Sequence, residues 1–461
     1  MLSRLADGFA AALARLAAAA FFRRIDVVGL PRLPRGRPLV LVGNHNNSLI
    51  DPLLFIAALP VTPRFLAKST LWEKPLLRPI LALVSVIPVY RRQDEGVDTS
   101  KNLETFSRCH ELLARGGAIG LFPEGISHSG PRLAPLRTGA ARIVLEAEER
   151  FGPLGVAVVP VGLLFDAKER FRSRVLVEVG EAIDPGPEIA LYATDPQGAA
   201  RALTARIEQG LRAVTLNYDS WEEALLIGRA ADLFERRGLA LPRDRTLAEE
   251  FTLHRRLIEG FAELELRFPE RTRQAAAAVA EYDRLLSTVG LDDEQVASRY
   301  PMPSVFKFLL RSLPGLVVTA PLALLGMVLN GVPYRLAGAI SRRVANEPDV
   351  AATYKLFPSL LLFPGFWLAE AGLAWWLAGG WAALGTLVAA PTLGWLAVRF
   401  NDRRKSLVKE ARAYWLLATR HRLAEELRRR RRTAHDEVMR LVALAAPEHG
   451  SQEVDDPAIL S

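Results

Sequence analysis

The rhythm of apolar and polar positions changes several times along the 461 residues. Residues 1–24 are alanine- and leucine-rich, with Arg4, Asp7 and Arg15 interrupting them. A cleaved signal peptide needs a clean apolar centre, which Arg15 spoils. An interfacial amphipathic helix ending at Phe21-Phe22-Arg23-Arg24 fits the pattern better, and a helix packed on the next domain is the alternative. Over residues 25–198, short apolar or β-branched runs recur at Leu39–Val42, Val84–Val89, Ala118–Phe122, Val156–Val161 and Val175–Val179. They read as strands. Between two of them, Leu103, Phe106, Leu112 and Leu113 fall on one helical face that Gly116-Gly117 ends. Residues 137–151 repeat the pattern, with Ile143, Val144 and Leu145 inward. Strands alternating with helices predict an α/β domain: a largely parallel sheet flanked by helices, with its loops gathered at one edge. Residues 199–311 are charged, helical in pattern and poor in strand signals, a helical extension.

The pattern then becomes continuously apolar over 312–398. Ser312–Tyr334 is 23 residues without a charge, although Pro314, Pro321 and Pro333 interrupt it. Leu356–Val398 is 43 residues whose only charge is Glu370, broken near Gly379-Gly380. A helix needs about 20 residues to span a bilayer, so the longer run suits two spans. Trp367, Trp375, Trp376, Trp381 and Trp395 supply the aromatic content of membrane interfaces. An even number of spans would keep the α/β domain and the basic 399–461 tail on one side, so 312–334 is expected to be re-entrant or interfacial. The positive-inside rule makes that side cytoplasmic and the protein an integral membrane protein.

Composition sharpens this picture in two places. Lys plus Arg exceed Asp plus Glu by 59 to 51, a formal charge of +8. Residues 401–440 hold 13 of the bases against 6 acids, which leaves the rest of the chain at +1. That distribution is not the footprint of a nucleic-acid groove. It leaves two readings of the basic arm, a solvated helix face or contact with anionic membrane lipid. Cys109 is the single cysteine, which excludes an intrachain disulfide and a cysteine-rich zinc site. The seven histidines form no H-E-x-x-H, and no phosphate-cradling or dinucleotide-binding glycine loop is present, so metal and nucleotide chemistry lack support.

Two segments following predicted strands carry chemistry. The first, Gly43-Asn44-His45-Asn46-Asn47-Ser48-Leu49-Ile50-Asp51-Pro52, sets His45 at a strand-to-helix turn. Imidazole can take a proton from an alcohol, and a carboxylate such as Asp51 can fix its tautomer and stabilise the imidazolium. Asp51 could equally cap the helix that follows. The second is Leu121-Phe122-Pro123-Glu124-Gly125-Ile126-Ser127-His128-Ser129-Gly130, where a stiff Pro and a permissive Gly can turn backbone N–H groups and a carboxylate toward a ligand. Ser127 lacks the G-x-S-x-G elbow of a nucleophile.

Together these segments resemble the glycerolipid acyltransferase family. Its signature runs N-H-x(4)-D, a basic and aromatic segment, F-P-E-G, and an apolar strand ending V-P-V. Here those blocks fall at 44–51, 67–92, 122–125 and 159–161. Three departures are visible. Five residues, not four, separate His45 from Asp51. Ile126-Ser127-His128 stands where lysophosphatidate acyltransferases typically have Thr-Arg, and Phe171-Arg172-Ser173 follows the V-P-V strand. All three resemble the glycerol-3-phosphate/dihydroxyacetone-phosphate acyltransferase branch, which also tends to carry apolar C-terminal segments.

The resemblance implies the glycerolipid acyltransferase fold. It makes His45 the general base on an acceptor hydroxyl, oriented by Asp51, with direct attack on an acyl thioester. Glu124 and Gly125, with Ser127 beside them, match the acceptor-binding block. An acceptor phosphate needs paired cationic donors; Arg91, Lys68 and Arg137 are candidates, as is Arg92. The thioester oxyanion would be held by backbone N–H groups or Asn44. Expected partners are acyl-CoA or acyl carrier protein, a glycerol-phosphate acceptor and anionic lipid, with no cofactor and no metal. Lysophosphatidate is the alternative acceptor. A catalytically silent lipid-binding protein and a lipid hydrolase are the readings from other classes.

Overall fold

The computed structural model describes residues 2–73, 78–83, 86–90, 99–235, 246–297, 302–345 and 347–445. Seven strands make one sheet: β1 Arg24–Val28, β2 Leu39–Gly43, β3 Arg64–Lys68, β4 Ile87–Val89, β5 Ala118–Leu121, β6 Ala157–Phe165 and β7 Arg174–Val179. Their order is β1-β7-β6-β2-β5-β3-β4. Every pairing is parallel except β6 with β7. The expected α/β class, with its largely parallel sheet, is therefore present. The strand expected at 84–89 is confined to Ile87–Val89, and residues 84 and 85 lie outside the described residues. β1 and β3 escaped the pattern because Arg24, Asp26, Arg64 and Lys68 interrupt their apolar positions; β1 is an edge strand and β3 lies one from the edge.

Helices α1 Leu2–Phe21, α2 Ile50–Ala58, α3 Arg78–Leu83, α4 Asn102–Ala114, α5 Gly139–Phe151, α6 Gly186–Tyr192 and α7 Pro196–Ala213 accompany the sheet. The central strand β2 is buried on both faces, as a parallel strand between helical layers must be. Leu39 and Leu41 point into a core shared with Ala14, Ala18 and Phe21 of α1 and Leu54 and Phe55 of α2. Val40 and Val42 point into the other, with Leu113, Val144, Leu203 and Ile207. Cys109 lies in this second core, where burial pushes its thiol up to about 12 and leaves it unreactive. The outer face of α1 exposes Phe9, Leu13 and Leu16 at i, i+4 and i+7, the apolar stripe of the amphipathic helix read from the sequence.

Beyond the sheet come α8 Trp221–Glu235, α9 Leu247–Arg267, α10 Pro269–Val289, α11 Asp293–Ala297, α12 Met302–Val344, α13 Pro348–Ala378, α14 Gly380–Thr419 and α15 His421–Ala445. The described residues fall into two compact units. One draws on Met1–Asn217, Arg245–Glu250 and Thr319–Phe400; the other on Tyr218–Asp244, Phe251–Val318 and Asn401–Ser461.

The first unit thus joins the sheet to most of the apolar helices. Three helical stretches, Leu313–Val344, Asp349–Ala378 and Gly380–Thr419, are long and apolar enough to cross a membrane. The proline-rich 312–334 stretch, expected to be re-entrant or interfacial, instead lies inside one unbroken helix, α12. Asn330 of α12 ties the three together: its amide donates to Ala390 O at 2.9 Å and Gly326 O at 3.1 Å, and its Oδ1 accepts from Trp367 Nε1 at 2.9 Å. A Cβ at Gly326 would sit 2.1 Å from Leu393 O, so this close helix approach requires glycine. The first turns of α13 belong to the sheet domain, because Ala352 and Leu356 are buried in the core of α1 and α2.

The second unit packs Tyr282 and Leu286 of α10 against Ala424, Leu427, Ala434 and Val438 of α15. Arg431 forks onto Asp293 at 2.9 and 3.2 Å, and Tyr282 donates to the same carboxylate at 2.7 Å. Arg430 pairs with Glu281 and Glu426. The basic run of α15 is therefore one side of a packed helix, while Arg403, Arg404 and Lys405 of α14 are exposed.

Candidate active site

The parallel strands point their C-terminal ends to one edge of the sheet, and the chemistry collects there. β2 ends at Gly43, where a Cβ would fall 2.6 Å from the Phe55 ring, so only glycine fits. The chain then turns through residues 44–49 into α2. His45 Nδ1 lies 2.9 Å from Asp51 Oδ2, which also accepts the backbone N–H groups of Asn46 at 2.9 Å and Asn47 at 2.8 Å. The extra residue between His45 and Asp51 is accommodated with Ser48 in the left-handed region at φ 45°. Asp51 is completely buried; burial pushes its carboxyl up, and the hydrogen bonds from His45, Asn47 and Asn46 oppose that shift. With Nδ1–H donating to the carboxylate, Nε2 carries the lone pair. The His45 ring stacks on Phe122 at 4.2 Å and 9°, and Phe122 stacks on Phe65, which fixes the imidazole plane.

The second loop leaves β5, the neighbour of β2. Glu124 is buried, and its Oε1 accepts His45 N–H at 2.7 Å. Its Oε2 accepts Ala134 N–H at 2.8 Å and pairs with His128 Nε2. His128 N–H in turn donates to His45 O at 3.0 Å, so the two loops are laced together. Gly125 has φ +73°, and the Arg137 side chain occupies the place a Cβ would take. Ser127 Oγ accepts Ser48 N–H at 3.2 Å, a bond between the two loops. Asn44 is excluded as an oxyanion donor: its amide bridges Leu163 N–H and O, at 2.7 and 3.0 Å, and its second N–H donates to Asn46 Oδ1.

His45, Asp51, Glu124, Gly125 and Ser127 thus converge, and Arg137 packs on Gly125. Lys68 ends β3, two strands from β2, and is exposed. Arg91 and Arg92 lie outside the described residues. Two contributors were missed. Lys168, just past β6, donates to Asn46 O at 3.2 Å and Ser129 Oγ at 2.6 Å. From α13, Thr353 Oγ1 accepts Leu49 N–H at 3.2 Å, and Asp349 is buried nearby in the same helix turn. A single lysine in a loop has no pattern to read, and Thr353 is 304 residues from its partner in sequence. Among the described residues, no group of three or more His, Cys, Asp and Glu could hold a metal ion.

The Glu124 bond outweighs burial and raises the pKa of His128 above its ordinary 6.5. A raised folded value means stability that is full below pH 6.5 and lost as pH rises through that value. Melting curves of the wild type and His128→Gln are therefore expected to differ most under mildly acidic conditions and to converge toward alkaline pH. A pH-independent difference would contradict the pairing.

Two family matches account for separate stretches of the chain. Residues 24–164 match the acyltransferase family, and 226–449 match the glycerol-3-phosphate acyltransferase 2 C-terminal domain. The chain is 30% identical to glycerol-3-phosphate O-acyltransferase 2 of Saccharomyces cerevisiae, over 57% of this chain and 37% of that protein. To glycerol-3-phosphate O-acyltransferase 1 of the same yeast it is 26% identical, over 54% and 34%. It thus spans little more than a third of either relative. A solved 1-acyl-sn-glycerophosphate acyltransferase from Thermotoga maritima covers 46% of this chain and is covered to 78%, at 20% identity and a TM-score of 0.33. The His–Asp and Pro-Glu-Gly loops fall inside the first matched region and the apolar helices inside the second; residues 24–164 are similar to an acyltransferase domain and residues 226–449 to the C-terminal domain of a glycerol-3-phosphate acyltransferase.

Proposed function

We propose that this protein transfers a fatty acyl group from acyl-CoA or acyl carrier protein to a hydroxyl of glycerol 3-phosphate or dihydroxyacetone phosphate, a step of phospholipid synthesis. The observation that carries the reading is the His45–Asp51 pair at 2.9 Å, set at the sheet edge with Nε2 as the acceptor nitrogen. His45 takes the proton as the acceptor oxygen attacks the thioester carbonyl; the tetrahedral intermediate then expels the thiolate, which is protonated. Asp51 stabilises the imidazolium formed in between. Attack is direct in this reading, since Ser127 Oγ accepts the Ser48 N–H and lacks the G-x-S-x-G elbow of a nucleophile. Asn44, committed to Leu163, does not hold the oxyanion.

Three helices long and apolar enough to cross a membrane support a site near the bilayer surface, where acyl donor and product partition. The positive-inside rule assigns the basic tail to the cytoplasm, where Arg403, Arg404 and Lys405 offer contacts for anionic lipid, and the sheet shares that side when two of the three apolar helices cross the bilayer. Lysophosphatidate is the second acceptor to consider, with the Ile126-Ser127-His128 run speaking against it.

Purified protein in lipid nanodiscs, given each radiolabelled acceptor with acyl-CoA or acyl carrier protein, tests the proposal. Preferred acylation of glycerol 3-phosphate or dihydroxyacetone phosphate supports it. Preference for lysophosphatidate selects the alternative, release of free fatty acid exceeding transfer selects hydrolysis, and no turnover selects a silent lipid-binding protein.

A further inference from the structure

Lys168 follows β6, which flanks β2 on the side opposite the Glu124 loop. It is fastened at both ends. Its backbone oxygen accepts from Asn47 Nδ2 at 3.1 Å, while its ammonium donates to Asn46 O, the carbonyl next to His45, and to Ser129 Oγ. The side chain is half-buried, and its burial cost is opposed by Asp349, Asp51 and Glu169. Holding an ammonium among partly dehydrated groups is costly unless its donors are used. An ammonium has three donors, and only two find hydrogen-bond partners among the described residues.

We propose that Lys168 is the cation that receives the phosphate of the acceptor, a specificity-determining residue for the reaction proposed above, on which this assignment rests. Phosphate chemistry occurs on both substrates, but the two place it differently. In a three-carbon acceptor, the phosphate and the attacking hydroxyl share one small molecule. A phosphate whose hydroxyl meets His45 must therefore lie beside the turn that Lys168 touches. The phosphates of a CoA or carrier-protein thioester lie a whole pantetheine arm away from the reacting carbonyl. The Lys168 ammonium also bonds Ser129 in the Glu124 loop, so it bridges the two loops of the site. The other cations are placed less well, since Lys68 is exposed two strands away and Arg137 is packed over Gly125.

Lys168→Gln separates charge from anchoring, because the amide can still donate to Asn46 O and Ser129 Oγ. Lys168→Arg restores the charge. In the full chain, Lys168→Gln is expected to raise KM for glycerol 3-phosphate about ten- to hundred-fold, the loss of one charge-assisted hydrogen bond. The donor KM and the melting temperature should hold, kcat should change only a few-fold, and Lys168→Arg should recover most of the acceptor KM. A rise in donor KM instead would assign the phosphate contact to the thioester carrier and overturn the proposal. An unchanged acceptor KM, or a fall in kcat with both KM values unaltered, would make Lys168 a tie between loops and overturn it too. Wild-type protein inactive toward every glycerol-phosphate acceptor would remove the acceptor reading, and this assignment with it.

Discussion

His45→Ala is expected to lower kcat by roughly 10²–10⁴-fold, the usual contribution of a general base, with KM for the acceptor little changed. Among the described residues, the alanine removes the imidazole presented at this point of the sheet edge, since His128 is bound between Glu124 and Gly130 N–H. Its backbone duties remain: Glu124 still accepts the N–H of residue 45, and His128 still donates to its carbonyl. The fold should therefore survive, and near-wild-type melting combined with lost turnover is the predicted signature. Steady-state assays with either acceptor check it, and retention of near-normal kcat would dismiss His45 as the base.

Asp51→Asn should have the second-largest effect. Asn46 N–H and Asn47 N–H converge on Asp51 Oδ2, so they hold the amide oxygen in that position and leave the imidazole in its original tautomer. What disappears is the negative charge that stabilises the imidazolium during proton transfer. Turnover is expected to fall on the order of 10²–10³-fold, at the lower end of what orienting carboxylates contribute. Thermal stability should rise or stay level, because a neutral amide removes the desolvation cost of a carboxylate that is wholly buried and has Oδ1 unpartnered. A variant no less stable yet slower is thus the specific expectation, read by melting curves beside kinetics. A loss of less than a few-fold would show that Asp51 caps α2 and does no more.

The sheet edge was largely legible because parallel strands leave apolar runs, and the loops after them keep distinctive residue types. The loops that carry His45, Asp51, Glu124 and Gly125 are laced together in the fold. The detailed division of labour was not legible. Asn44 looked available for catalysis, yet it is spent pairing with Leu163, a contact set by how β2 and β6 align. Lys168 had no pattern around it, since one lysine past a strand is indistinguishable from a solvated charge. Contacts of this kind depend on long-range register, which no local periodicity encodes. The basic tail illustrates the opposite case: its charge count was correct, but α15 uses Arg430 and Arg431 for pairs with Glu281 and Asp293. A sum of charges does not reveal which are already partnered.

At the start of α13, Thr353 closes the hydrogen bond to Leu49 at the mouth of the His45 turn, and Ala352 and Leu356 fill the core beneath α1 and α2. Without α13, Leu49 N–H would lose Thr353 and the core beneath α1 and α2 would lose Ala352 and Leu356. The same helix is one of the three long and apolar enough to cross a membrane. Closure of the His45 turn and a candidate span therefore lie on one stretch of chain.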